Sequence, residues 1–273
     1  MLDPVRRVER RAWHAGALAG GERTIPEETA VAFTYNGSSY AVMMATPQDL
    51  EDFAIGFSLT EGVVKSADEI ESLEIVEEPI GIELRMRLRE PRGTAFVERR
   101  RYLAGPTGCG LCGIESLEEA MRPLATVTDE VSFTPAEIMA ALRVFYDRQT
   151  INRSTHAVHG AGFYLKEAGL VALREDIGRH NALDKIAGAL ARKGLTGRHG
   201  LAIVTSRLSV ELVQKAAAIA SPVLVAVSVP TALAVRTAEA IGITLIAVAR
   251  DDGFEIFTHP RRIANEPDDH VSA

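Results

Sequence analysis

Residues 201–250 read LAIVTSRLSVELVQKAAAIASPVLVAVSVPTALAVRTAEAIGITLIAVAR, and this stretch decides the fold. Three short apolar runs, 201–205, 223–227 and 243–248, alternate with two helix-like segments, 210–220 and 231–241. Unbroken apolar runs are expected of strands covered by helices on both faces. Repeated strand–helix units predict a parallel sheet with right-handed crossovers. Such units place their strand C-termini on one sheet edge, where ligands of open α/β sheets bind. The loops at that edge are Ser206-Arg207-Leu208-Ser209, Ser228-Val229-Pro230-Thr231 and, after Val248, Ala249-Arg250-Asp251-Asp252-Gly253. Two are hydroxyl-rich and lead into helix N-termini, which attract anions. Two carry an arginine suited to bidentate phosphate contact. Each loop alone reads equally as a cap or a turn, but three on one edge predict a phosphorylated, nucleotide-like ligand. Neither the G-x-G-x-x-G nor the G-x-x-x-x-G-K-[ST] fingerprint accompanies them.

Working outward, strands are expected at 161–165 and 170–173, a helix opening at Asp176 and running to 191, and a last strand at 254–258. Upstream, Asn36-Gly37 joins two strand runs, 29–35 and 39–44, as a hairpin turn. A helix follows, with Thr46 as its cap, Pro47 in its first turn and Gly62 at its end. Three more strand-like runs lie near 73–76, 82–88 and 95–103. The middle one alternates Ile82, Leu84, Met86 and Leu88 with Glu83, Arg85, Arg87 and Arg89. That pattern reads as a half-buried strand with a solvated face, or as a basic wall beside a phosphate. Helices are expected at 114–122 and, from Thr134-Pro135-x-Glu137, to about 149. The expected architecture is α/β: a mainly parallel sheet with flanking helices plus a smaller N-terminal α+β domain. Its divisions are a flexible lead-in (1–28), the α+β domain with the cysteine loop at its end (29–125), an α/β cofactor-binding domain (126–265) and a polar tail (266–273).

Composition narrows the function. The chain has 273 residues, 47% hydrophobic and 25% charged, as soluble globular proteins do. Its net charge of −7 argues against general nucleic-acid binding. No run reaches the ~18 apolar residues of a membrane span, and no apolar segment follows the N-terminal arginines, so a cytoplasmic location is expected.

Cys109 and Cys112 are the only cysteines, in Thr107-Gly108-Cys109-Gly110-Leu111-Cys112-Gly113. The glycines predict an open loop, and a helix directly after it favours a thiolate. Several readings compete. Structural zinc needs four ligands where this pair supplies two. A zinc deaminase needs His-x-Glu upstream, which is missing. Disulfide exchange fits the spacing but not the antiparallel-looking strands before it. An exposed thiolate that accepts and donates sulfur is a further reading, and two buried inert cysteines are the plain one. Elsewhere, His159 precedes an apolar run, and His180 stands one helical turn before Asp184. That pair reads as an oriented imidazole for acid–base work or as ordinary packing.

Four ordered blocks resemble one family, the formate dehydrogenase accessory sulfurtransferases (FdhD). They are Thr46-Pro47 with Asp49 to Phe57 and Thr60-Glu61-Gly62; Cys109 to Gly113; Glu175-Asp176-Ile177-Gly178-Arg179-His180-Asn181-Ala182-Leu183-Asp184-Lys185; and Ser206-Arg207-x-Ser209-x-Glu211 with Ser228-x-Pro230-Thr231. The resemblance spans about residues 30–262. It implies a persulfide on Cys109, with Cys112 auxiliary, received from a cysteine desulfurase. The sulfur passes to the bis-guanine-dinucleotide molybdenum cofactor, bound as substrate through its GDP-like moiety, for formate dehydrogenase. It also implies a cytidine deaminase-like core without zinc, a homodimer, and cofactor contact at Val248 to Gly253. Ser206, Arg207, Ser228, Thr231, His159 and His180 are the other expected cofactor-facing residues. A cofactor-binding chaperone and a disulfide oxidoreductase are the alternatives. The chain departs from the family pattern at Thr155-His156-Ala157-Val158-His159, where Thr-Gly-Gly-x-His is usual, and spacing to Glu175 makes His159 the counterpart. It also joins Ser206 directly to Arg207 without the extra glycine, and lacks the phenylalanine that the family often has near Val248.

Overall fold

The computed structural model describes residues 2–89, 124–128 and 131–264. Cys109, Cys112, the expected strand at 95–103 and the expected helix at 114–122 lie outside the described residues, as does the polar tail. The chain forms two compact units that interleave in sequence. One comprises Met1–Pro123, Gln149–Gly160 and Arg174–Lys193; the other comprises Leu124–Arg148, Ala161–Leu173 and Gly194–Ala273. The expected linear division at residue 126 therefore needs correction, because 149–160 and 174–193 fold with the N-terminal unit.

In the first unit, β1 (Val5–His14) and β2 (Ala17–Pro26) form an antiparallel hairpin. The expected flexible lead-in is thus a paired ribbon. Its turn, Ala15-Gly16, has positive φ at both residues, the geometry of a two-residue hairpin loop. The strands lack apolar alternation and are largely exposed, so periodicity had nothing to register. Next come β3 (Thr29–Tyr35) and β4 (Ser38–Ala45), joined at Asn36-Gly37 with positive φ at both positions, as expected. Together with β5 (Ile70–Glu78) and β6 (Gly81–Leu88) they make a sheet of order β4-β3-β6-β5, in which β3 and β6 are parallel. Helix α1 (Leu50–Thr60) covers its apolar face. Phe33 stacks on Phe57 at 4.1 Å and meets Phe53 edge-on at 5.0 Å.

Thr46 does not cap α1. The helix starts three residues later, at an Asp49 in the left-handed region with no side-chain cap. Thr46 is drawn instead into hydrogen bonds with Asp176, Ile177 and Lys185. The chain then runs through α2 (Pro135–Asp147) of the second unit and α3 (Thr150–Thr155) of the first. Thr134 and Glu137 close the expected capping box on α2. Helix α4 (Arg179–Arg192) begins three residues after Asp176, because that aspartate accepts the Gly178 N–H in a turn that delays the helix.

The second unit carries a six-stranded sheet of order β12-β11-β10-β9-β7-β8. Its members are β7 (His159–Leu165), β8 (Gly169–Asp176), β9 (Gly200–Val204), β10 (Val223–Ala226), β11 (Thr244–Arg250) and β12 (Gly253–Ile256). Strands β9, β10 and β11 are parallel, as the quoted stretch predicts, while β7 runs antiparallel to β9 and β12 antiparallel to β11. Helices α5 (Val210–Ala218) and α6 (Ala232–Ile241) are the crossovers. Every residue of β9 and β10 is buried, which accounts for their unbroken apolar sequences.

Candidate functional site

In the second unit, the ends of β9, β10 and β11 share one edge. Their loops are stitched together by backbone bonds. The Leu208 N–H donates to the Val229 carbonyl at 3.2 Å, and the Thr231 N–H to the Leu208 carbonyl at 2.9 Å. The Val248 N–H reaches the Ser228 carbonyl at 3.2 Å. Ser206, Arg207, Ser228, Thr231 and Val248 are thereby held as one connected rim. Thr231 caps α6 by accepting the Ala234 N–H, and Ser206 is buried with its hydroxyl on the Arg207 carbonyl. Arg207, Arg250, Asp251 and Asp252 are exposed, Gly253 is half-buried, and Ala249 is buried in the core.

Two features of this rim were not legible in its motif. Val248 has φ +53°, a left-handed conformation unusual for a β-branched residue, at the irregularity in the β11–β12 pairing. Such strain concentrates at ligand sites. Ser209 stands at the N-cap of α5 with its carbonyl accepting the Val213 N–H, but its side chain does not cap that helix, and its buried Oγ has no partner among the described residues. An orphaned hydroxyl at a helix start, flanked by Arg207, fits a phosphate oxygen in charge and hydrogen-bonding type.

The first unit holds the two histidines. His159 is half-buried, and burial, then the charge of Arg179, push its pKa down against the opposing pull of Asp176. His180 is buried in the first turn of α4. Asp184, its expected partner one turn on, accepts the Thr60 hydroxyl at 2.5 Å. Behind them lies a fully buried ion pair. Lys185 Nζ lies 2.6 Å from Asp176 Oδ2 and donates to the Thr46 carbonyl at 3.0 Å. Asp176 also accepts the N–H groups of Thr46 and Gly178 and the Asn181 amide, so its carboxylate is saturated. Buried Asp52 is clamped by Arg174 and Arg192, and buried Glu175 accepts the N–H groups of Ile151 and Asn152 at the start of α3. These charges are spread along the sequence, and nothing in their spacing announces the pairs.

The alternation of β6 holds, with Ile82, Leu84, Met86 and Leu88 buried. Its outer face is of mixed charge rather than a basic wall. Arg85 pairs with Glu83 and Glu78, and Glu71 and Glu74 line the same groove as Arg87 and Arg89. Among the described residues, no three His, Cys, Asp or Glu side chains are grouped to hold a metal ion, and no helix is long and apolar enough to cross a membrane.

Fold and rim together define a class: an α/β protein whose sheet edge offers hydroxyl groups and arginines without a dinucleotide fingerprint. The FdhD/NarQ family model matches residues 26–264, and the chain belongs to that family. It is 53% identical to the sulfur carrier protein FdhD of Agrobacterium fabrum, over 94% of this chain and 96% of that one. The sulfur carrier protein FdhD of Cupriavidus necator is 46% identical, over 93% and 88% respectively. The crystal structure of a protein described as a formate dehydrogenase accessory protein, from Desulfotalea psychrophila, superimposes with a TM-score of 0.78. That match has 26% identity and covers 96% of this chain and all of that one.

Proposed function

We propose that this protein is a sulfur carrier in the maturation of formate dehydrogenase, working as a sulfurtransferase. Kinship with sulfur carrier proteins over nearly the whole chain is the observation that carries the reading. Cys109 receives sulfur as a persulfide from a cysteine desulfurase, with Cys112 auxiliary, and the molybdenum cofactor in its bis-guanine-dinucleotide form is the acceptor. The rim of the second unit supports the binding half of this reading. Arg207, Arg250, Ser206, Ser228 and Thr231 hold the GDP-like phosphates, and the backbone from Val248 to Gly253 closes against the nucleotide. Handing over the sulfur leaves a thiolate on Cys109, and His159 and His180 serve to steady that charge. The protein acts in the cytoplasm as a homodimer.

Mass spectrometry of the full chain after incubation with a cysteine desulfurase and cysteine tests the covalent half. One added sulfur on Cys109 is expected. No addition points to a cofactor chaperone, and interconversion between dithiol and a Cys109–Cys112 disulfide points to an oxidoreductase. Cys109→Ala should abolish formate dehydrogenase maturation while leaving the melting temperature unchanged, and Cys112→Ala should lower maturation only in part. Full client activity with Cys109→Ala overturns the reading.

A further inference from the structure

The ribbon β1–β2 has no part in the sheet-edge site. Its strands have ten residues each, so it is about 30 Å long. β2 packs on α3, and Thr24 and Pro26 at its end are half-buried. From Glu9 to Arg23 every residue except Ala12 is exposed. A two-stranded hairpin with neither face covered is only marginally stable in water. At its far end Trp13 and Leu18 stand directly opposite each other, 71% and 65% exposed. Strand alternation puts Arg11 on the same face. It lies opposite Gly20, where a Cβ would meet nothing within 4 Å. Tryptophan and arginine are the side chains that most often carry the energy of a protein interface.

Charge indicates what covers this end. Residues 5–26 hold five arginines and two glutamates, a net +3 in a chain of −7, so the remaining residues carry −10. Arg6 and Arg7 pair with Glu27 and Glu22, whereas Arg10, Arg11 and Arg23 have no ion pair among the described residues. Two acidic bodies repel each other, and a basic ribbon laid from each onto the other offsets that repulsion. We propose that the outer half of the ribbon is a dimerisation arm, whose Trp13, Leu18 and Arg11 seat on the acidic body of a second copy of this chain. Twofold symmetry uses the arm twice, once from each copy. The second copy is also present wherever the ribbon is, in equal amount, which no other acidic partner matches. This arm presupposes the homodimer of the reading above and names the surface that builds it.

Trp13 is the only tryptophan in the chain, so its fluorescence reports on the arm alone. The test follows the full chain over a dilution series by sedimentation and by tryptophan emission. A dimer should form, and Trp13 emission should move to shorter wavelength in step with it. Leu18→Ser, and separately Arg10→Glu with Arg11→Glu, keep the reporter and alter only exposed side chains. Each should raise the dimer dissociation constant by about tenfold or more, as loss of an interface anchor does, with the melting temperature of the monomer unchanged. The arm stands only if both readouts move. A dimer that keeps the emission of an exposed indole, or that both variants leave intact, overturns the arm and leaves the homodimer to another surface. A chain that stays monomeric overturns both. A monomer whose Trp13 emission shifts only with vesicles of anionic phosphatidylglycerol assigns the ribbon to a membrane and overturns the arm. Sulfur loading on Cys109 is read from the same preparations. A dimer built through the ribbon that never loads Cys109 refutes the sulfur-carrier reading and leaves the arm standing.

Discussion

At the scale of single residues, buried charge is the strongest determinant in the first unit. Lys185 and Asp176 are both fully buried and 2.6 Å apart, and together they hold the Thr46 backbone. Removing one member strands the other in an apolar setting. Lys185→Met should therefore cost about 3–5 kcal/mol, while Lys185→Met combined with Asp176→Asn should recover part of the loss. Urea denaturation of the three proteins checks this, and a double variant no better than Lys185→Met contradicts it. His159 governs a pH effect of definite sign. Burial, and then Arg179, depress its pKa in the folded state, so folding disfavours the protonated ring. Its stabilising contribution is fully present above the unfolded value of about 6.5 and is lost as pH falls through the lower folded value. The denaturation midpoint of the parent should fall on acidification through this window, and that of His159→Gln should fall less. Equal slopes for the two proteins would count against the assignment.

At the scale of elements, glycines decide how α1 and α4 pack. A Cβ on Gly56 would lie 1.7 Å from the Asp184 carbonyl oxygen, and one on Gly188 would lie 1.9 Å from that of Asp52. In an exposed helix interior, glycine to alanine gains about 1 kcal/mol. Here the sign reverses, since neither backbone can retreat without opening the interface. Gly56→Ala and Gly188→Ala should each destabilise by about 1–3 kcal/mol or more. Gly21→Ala in β2, with open space around it, is the control and should be near neutral. Thermal melts of the three variants check the contrast. The hairpin β1–β2 teaches a related lesson about elements. Its Ala15-Gly16 turn is a weaker signal than Asn36-Gly37, and its strands turn no apolar face inward, so cross-strand pairing rather than burial defines it.

At the scale of the whole molecule, the proposed nucleotide site lies on the sheet edge of the second unit, where loops from three strands are stitched together. If Arg207 and Arg250 hold the phosphates, GDP binds through them and less tightly at high salt. Arg207→Ala and Arg250→Ala should each cost about 1.5–3 kcal/mol of binding, the range for hydrogen bonds to charged groups. Calorimetry with GDP measures it, and unchanged affinity in both variants places the ligand elsewhere. Much of this architecture was already determined by sequence. Residues 201–250 specify parallel strands and the edge where their loops gather, because unbroken apolar runs and helical segments follow from local periodicity. Asn36-Gly37 and Thr134-Pro135-x-Glu137 specify a turn and a helix start, because those signals act over a few residues. Four ordered blocks specify the family. Only the tertiary structure decided that 149–160 and 174–193 belong with the N-terminal unit. It also turned Thr46 from a helix cap into an anchor, and it left Ser209 Oγ and Arg179 Nε without hydrogen-bond partners among the described residues. The physical reason is that pairing, close backbone approach and the desolvation of a charge depend on which distant residues arrive beside a group, and no local pattern records that.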